Sequence, residues 1–247
     1  GKEQIAGEYQ PGWMLLSYGK KVSVSSSLEG YPAENIVDED ARTAWVAQSN
    51  RDMEWAQVDL QRLSSIHAIQ VNFDEYGANQ KGAVSGVYQS YLIYASVNGE
   101  DWSLVVDYGT KKTDTPHDYI EFEEPFKARY IKLQNKEYMV SENFSVRDLR
   151  IFGKGQGSTP RAVNDFTVER DEADPCKARL CWEAVPDAQG YIVRYGIAGD
   201  KLYNNFQVMG ENTLEIGSLN KGVAYYFTID AYNENGITRT SRIKVCR

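Results

Sequence analysis

The stretch Tyr94-Ala95-Ser96-Val97-Asn98-Gly99-Glu100-Asp101-Trp102 decides the class of fold. It closes a strand-like run, Tyr91–Val97, on the dipeptide Asn98-Gly99. That pair suits a two-residue type I′ hairpin turn, in which both central residues take positive φ. Leu104–Tyr108 then reads as the returning strand. Outward from this hairpin the same texture repeats in Lys21–Ser26, Trp55–Leu60, Ala68–Phe73, Tyr119–Phe122, Arg129–Asn135 and Leu149–Phe152. Short β-branched or aromatic runs broken by Gly, Asn, Asp and Ser are strand signals. Helical periodicity is confined to about one turn near Pro32–Val37. The fold class is all-β.

The first strand series stops at Phe152-Gly153, and Lys154-Gly155-Gln156-Gly157-Ser158-Thr159-Pro160 has the composition of a linker. A second series follows in Asp165–Glu169, Ala178–Glu183, Gly190–Tyr195, Thr213–Ile216, Ala224–Ala231 and Arg239–Val245, with Asn235-Gly236 marking its last hairpin. The expected organisation is a polar connector over 1–14, arriving from something upstream and bending at Pro11-Gly12. A first sandwich spans 15–153, the linker 154–160, and a second, smaller sandwich 161–247.

The chain of 247 residues has a formal charge of −8, of which −7 falls in residues 1–157. An acidic first domain without a Lys/Arg cluster is a poor partner for nucleic acid or anionic lipid. No apolar run approaches the roughly 18 residues of a membrane span, so no membrane insertion is expected. The 17 tyrosines and five tryptophans supply flat stacking surfaces as well as strand formers. Three cysteines, all in the last third, make no disulfide framework. Cys176 and Cys181 are close enough to pair across a bend, or stand as unpaired thiols. The opening Gly1-Lys2-Glu3-Gln4 reads as a processed start that has lost its targeting information.

Six ordered anchors make residues 22–153 resemble the discoidin family, the coagulation-factor C-type domains that include family-32 carbohydrate-binding modules. They are Val22–Ser27, then Tyr31–Asp40 leading to Thr43-Ala44-Trp45, Glu54–Leu60 ending in Val-Asp-Leu, Tyr94–Trp102, Ala128–Leu133 and Asp148–Gly153. The resemblance implies a discoidin-type jelly roll with Trp45, Trp55 and Trp102 in its framework. The second series resembles fibronectin type III, an immunoglobulin-like sandwich, with Trp182 as its buried tryptophan and Tyr225 at the tyrosine corner. A discoidin module joined to a fibronectin III domain is similar to the tails of secreted bacterial glycoside hydrolases, family 43 in particular. By that analogy the chain is an extracytoplasmic, monomeric accessory region with a catalytic domain upstream.

Within the loop Asn35–Thr43, Asn35, Asp38, Asp40 and the Thr43 hydroxyl offer oxygens of the kind a hard cation gathers six to eight at a time. Similar discoidin loops hold a structural Ca²⁺, closed by an acidic residue just before the final strand, where Asp148 stands here. Glu39 replaces the usual glycine, and Asp148 is shorter than the usual Glu. The other reading is a plain turn, with Asp38 capping backbone amides and Arg42 offsetting the charge.

A sugar site needs an aromatic face for C–H groups and planar polar groups for hydroxyls. The long segment 74–90 carries Tyr76, Asn79, Gln80, Lys81 and Tyr88. Asn50-Arg51, His117 and the loop Tyr138–Phe144 could converge on it. Arg51, Tyr76, Tyr88, Asn143 and Phe144 are the expected ligand-binding residues, against surface polar groups and aromatics folded onto the sandwich as the alternative. No enzyme arrangement is visible. The two histidines, His67 and His117, lack metal-ligand spacing, and no phosphate-cradling glycine loop follows a strand. The expected function is non-catalytic binding of polysaccharide or oligosaccharide. A packing role against a catalytic domain and an adhesion role are the rivals.

Overall fold

The computed structural model describes residues 3–6 as backbone, and residues 12–78 and 86–247 in full. The chain divides into two compact units, one over residues 15–156 and one formed by 157–247 with the opening stretch. Both are built from antiparallel strands, and the described residues contain no α-helix. No helix is long and apolar enough to cross a membrane among them.

The first nine strands are β1 (Glu3–Ala6), β2 (Met14–Leu15), β3 (Lys21–Val24), β4 (Trp45–Val46), β5 (Trp55–Phe73), β6 (Gln89–Ser96), β7 (Ser103–Tyr108), β8 (His117–Tyr138) and β9 (Ser145–Gly155), with a 3₁₀ turn over Ala33–Val37. All except β1 form one eight-stranded sheet in the order β2-β9-β5-β8-β6-β7, with β3 on β5 and β4 on β9. Two of these strands are far longer than their sequence suggests. The runs expected as Trp55–Leu60 and Ala68–Phe73 are halves of β5, and those expected as Tyr119–Phe122 and Arg129–Asn135 are parts of β8.

The reason is that bulges, rather than turns, redirect the chain. Gln61 takes a left-handed φ of 66°, and the β5–β8 register slips between Asp59 and Ser64 and again between Ile66 and Ala68. A slip of this kind changes which residues face inward. Ala56, Val58 and Leu60 are buried before it, and Ile69, Val71 and Phe73 after it. The same two strands therefore line both walls of a jelly roll. Its core includes Trp45, Tyr91, Ile93, Leu133, Phe144 and Leu149.

The hairpin between β6 and β7 also differs from the expected type I′ turn. Gly99 has a φ of 80°, but Asn98 is not left-handed, and the last strand pair is Ala95↔Ser103. The Asn98 side chain replaces the tight turn by accepting from the amides of Glu100 and Asp101, both at 2.9 Å.

The second unit contains β10 (Phe166–Arg170), β11 (Ala178–Trp182), β12 (Gly190–Gly196), β13 (Asn204–Met209), β14 (Thr213–Ile216), β15 (Tyr225–Asn233), β16 (Gly236–Thr238) and β17 (Lys244–Cys246). A three-stranded sheet, β10-β11-β14, and a six-stranded sheet, β1-β13-β12-β15-β16 with β17 on β15, make a second sandwich. Within the expected connector, β1 (Glu3–Ala6) runs antiparallel to β13, with Glu3 opposite Gln207. Trp182, Tyr191, Phe227 and Ile229 are buried in this core. The Tyr225 hydroxyl accepts from the Asn220 amide at 3.0 Å. Cys176, Cys181 and Cys246 are all free thiols.

Candidate functional site

One end of the jelly roll is a rim of loops tied to each other by side-chain amides. Asn50 Nδ2 donates to the carbonyl of Ser141 at 2.9 Å, and the buried Asn135 donates to the carbonyls of Asn50 and Arg51, both at 2.9 Å. Asn143 Nδ2 donates to the Ala47 carbonyl at 2.8 Å. Backbone bonds Met139 N to Tyr88 O (3.0 Å) and Asp74 N to Ser145 O (2.9 Å) bring the segment after β5 to the same rim. This network offsets the conformational entropy that ordering the rim's loops costs.

The rim sorts the expected ligand residues. Arg51 is exposed on the loop before β5. Tyr88 is partly exposed; its hydroxyl donates to Glu137 at 2.6 Å, and Lys112 lies 4.5 Å over its ring while pairing with the same carboxylate. That pairing holds the Glu137 carboxyl below the usual range and the Lys112 ammonium above it, Tyr88 contributing second in each case. Tyr76 stands elsewhere on the rim, edge-to-face with Tyr31 at 5.0 Å. Asn79, Gln80 and Lys81 lie outside the described residues. One expectation is corrected. Phe144 is 1% exposed and packs edge-on against Trp45 (5.7 Å) and Tyr138 (5.4 Å), so it is core and offers no face to a ligand. Asn143 is partly exposed, and its Nδ2 ties the loop to the Ala47 carbonyl. His117 is exposed, and its Nδ1 lies 3.1 Å from Asn72 Oδ1. Sequence reasoning missed Tyr31, Lys112 and Glu137.

The loop after the 3₁₀ turn is compact. Asp38 accepts from the Asp40 amide (2.9 Å) and from the Thr43 hydroxyl (2.6 Å). Asp40 spends its carboxylate on Arg42, through the amide at 2.9 Å and Nε at 3.1 Å. Asn35 Nδ2 donates to the Ala44 carbonyl at 2.8 Å. Glu39 occupies the left-handed region at φ 57°, which explains why a glycine suits this position, and its carboxylate pairs with Arg150 at 3.0 Å. Asp148 is buried and accepts from Asn72 at 3.0 Å; burial raises its pKa, and the charge of Asp38 adds to that. Among the described residues no three of His, Cys, Asp and Glu are grouped to hold a metal. The donor set suits a hard cation only through two carboxylates, Asp38 and Asp148, completed by hydroxyl and carbonyl oxygens. The Asp40 carboxylate is held by the exposed Arg42, and its carbonyl accepts from Thr43.

The profile of the F5/8 type C domain matches residues 21–148, and the chain belongs to that family. Lactadherin from Rattus norvegicus is 33% identical over 110 residues, which is 42% of this chain and 25% of the rat protein. Lactadherin from Mus musculus is 32% identical over 110 residues, 42% of this chain and 23% of its own. The match therefore spans about a quarter of either lactadherin. Among solved structures, chitosan-binding module 2 in complex with chitotriose, from a Paenibacillus sp. IK-5 chitosanase/glucanase, is 20% identical with a TM-score of 0.48, covering 56% of this chain and 99% of that one. The family 32 module of C. perfringens NanJ in complex with galactose is 18% identical with a TM-score of 0.46, covering 57% and 98%.

Proposed function

We propose that this chain is a non-catalytic glycan-binding region whose jelly roll takes a neutral sugar at the rim. The observation that carries the reading is the meeting of three loops there, which displays Arg51, Tyr88 and Tyr76 around a hydrogen-bonded base. Tyr88 and Tyr76 supply ring faces for pyranose C–H groups, and the Arg51 guanidinium supplies donors for hydroxyls. Family membership supports a binding rather than a catalytic role. The second unit is a fibronectin type III domain in this reading, supported by the buried Trp182 and the Tyr225–Asn220 corner bond. The larger protein is a secreted bacterial glycoside hydrolase of the family-43 kind, with the catalytic domain upstream and this region acting as a monomer outside the cytoplasm.

Calorimetry with arabinoxylan and galactan oligosaccharides, galactose and chitotriose tests the rim. Millimolar to micromolar binding corresponds to about 4–8 kcal/mol, of which one stacked ring contributes on the order of 1 kcal/mol. Tyr88→Ala should weaken binding several-fold while leaving Tm nearly unchanged. If no glycan binds and Tyr88→Ala instead destabilises the longer protein, the packing role replaces this one. The adhesion role has one observation in its favour. Met53, 62% exposed at φ 81°, and Met139, 36% exposed, belong to the same rim as Arg51. Co-sedimentation with phosphatidylserine vesicles in place of glycan binding would support it.

In the same reading Ca²⁺ is structural, held by Asp38, Asp148, Thr43 Oγ1 and the carbonyls of the 35–43 loop. It would neutralise the Asp38–Asp148 repulsion at the junction of loop and sheet. Chelation should lower Tm, and added Ca²⁺ should restore it by mass action. Asp38→Ala should abolish the response, and a Tm indifferent to both treatments leaves the plain turn.

A further inference from the structure

The outer face of the β5–β8–β6 sheet presents a second constellation that the rim reading does not use. Its register is set by the strand ladders. Gln57 and Tyr94 flank Lys132 in one cross-strand row, Trp55 and Leu92 flank Gln134 in the next, and Asp59 and Ser96 flank Tyr130 on the other side. These residues alternate with the buried Ala56, Val58, Ile93, Ile131 and Leu133, so they point outward. The β6–β7 hairpin folds Trp102 onto this face, 6.5 Å from the Tyr130 ring. The close approach needs Gly99, where a Cβ would lie 3.3 Å from that same ring.

Lys132 sits at the centre, its ammonium 4.3 Å over the Trp102 ring and 5.4 Å over Tyr94. The other cations around it are matched. Arg129 holds Asp59 through two bonds of 2.8 and 3.0 Å, and Lys136 holds Asp52 at 2.7 Å. No oxygen among the described residues accepts from Lys132; two rings and Gln57 surround it, and burial lowers its pKa. An ammonium that is partly desolvated, lies over rings and has no carboxylate partner gains most from an anion that can reach it.

We propose that this face is a second binding site, one that takes an acidic sugar: Lys132 receives the ring carboxylate, and the C–H face rests on Tyr94 and Trp102. Gln57, beside Lys132 in the same row, faces the sugar's hydroxyls. A sugar fits better than an acidic peptide for two reasons. Flat aromatic surfaces match pyranose rings, and β5, β8 and β6 are all paired on both sides here, so no strand edge is open for an extended peptide to join. The net charge of −8 opposes any polyanion at long range, so short oligosaccharides are favoured over long acidic polymers.

The test uses the full 247-residue chain and NMR or calorimetric titration with oligogalacturonate, neutral oligogalactan and polyglutamate. Oligogalacturonate binds the wild type, and Lys132→Met weakens it about tenfold or more, the loss of one charge-assisted hydrogen bond. Lys132→Arg retains binding within a few-fold, and Tyr88→Ala leaves it unchanged. Thermal melts confirm that each variant is folded, and Lys132→Gln stands in if the Met variant is not. The proposal falls if oligogalacturonate shows no binding by about 10 mM, if Lys132→Met and Lys132→Gln bind as wild type does, or if polyglutamate binds equally well. Failure of the rim reading looks different: oligogalactan binding is absent while the uronate response remains.

Discussion

The rim and the outer sheet face of the same jelly roll use the same parts, a lysine laid over an aromatic ring, and reach opposite electrostatic ends. On the rim, Lys112 covers Tyr88 and is paired with Glu137. On the face, Lys132 covers Trp102 and Tyr94, with no oxygen partner among the described residues. A cation–π contact is compatible with either state, because the ring is attracted to the ammonium whether or not a carboxylate is present. What the contact cannot do is neutralise the charge. On the rim the lysine over the ring is matched by Glu137, which leaves the hydroxyl-binding groups to act; on the face the lysine keeps a charge to spend on an anionic ligand.

The two surfaces also differ in how they are supported, and this difference gives the largest expected effect. The rim rests on Phe144, fully buried among Trp45, Phe73 and Tyr138. Phe144→Ala should cost about 3–5 kcal/mol in chemical denaturation and take the rim with it. Trp102, partly exposed on the face, is less deeply committed, and Trp102→Ala should cost only about 1–2 kcal/mol. Equal costs for the two substitutions would mean that the hairpin carrying Trp102 is as much a part of the core as the rim's base.

Much of this was legible from residues alone, in a graded way. The strand texture and the discoidin anchors pointed to the jelly roll, because alternation and ordered spacing report directly on which residues face inward. Glu39 in place of the family's usual glycine marked a departure in the loop, and the structure shows its backbone in the left-handed region at φ 57°. Phe144 was misassigned because it immediately precedes β9, where one residue of register decides between core and loop. The continuity of β5 was hidden because Gln61 adopts a conformation that its side chain does not advertise. Lys132 gave no signal at all. It is one lysine in an ordinary strand, and only cross-strand register puts Tyr94 and Gln57 beside it.

The smallest effect is the sharpest probe of the comparison. Lys112 has its folded pKa raised, chiefly by the hydrogen bond to Glu137, whereas burial lowers that of Lys132. The signs in stability follow from proton linkage. The contribution of Lys112 is fully present below the unfolded lysine value and is lost as pH rises through its raised folded value. Lys132 behaves oppositely: the unfolded chain binds its proton more tightly, so stability rises with pH between the depressed folded value and the unfolded one. Both groups are substantially open to solvent, so screening keeps either contribution small in a melting curve. NMR titration of the two side-chain methylene signals reads them directly and should bracket the ordinary lysine value, Lys112 above and Lys132 below. Glu137→Gln should bring Lys112 down towards the ordinary value and leave Lys132 where it was. Saturating oligogalacturonate should raise Lys132 and leave Lys112 unmoved. Two lysines titrating together, in every one of these states, would mean that the rim and the face do not differ in charge, and the division of neutral and acidic ligands between them would go with it.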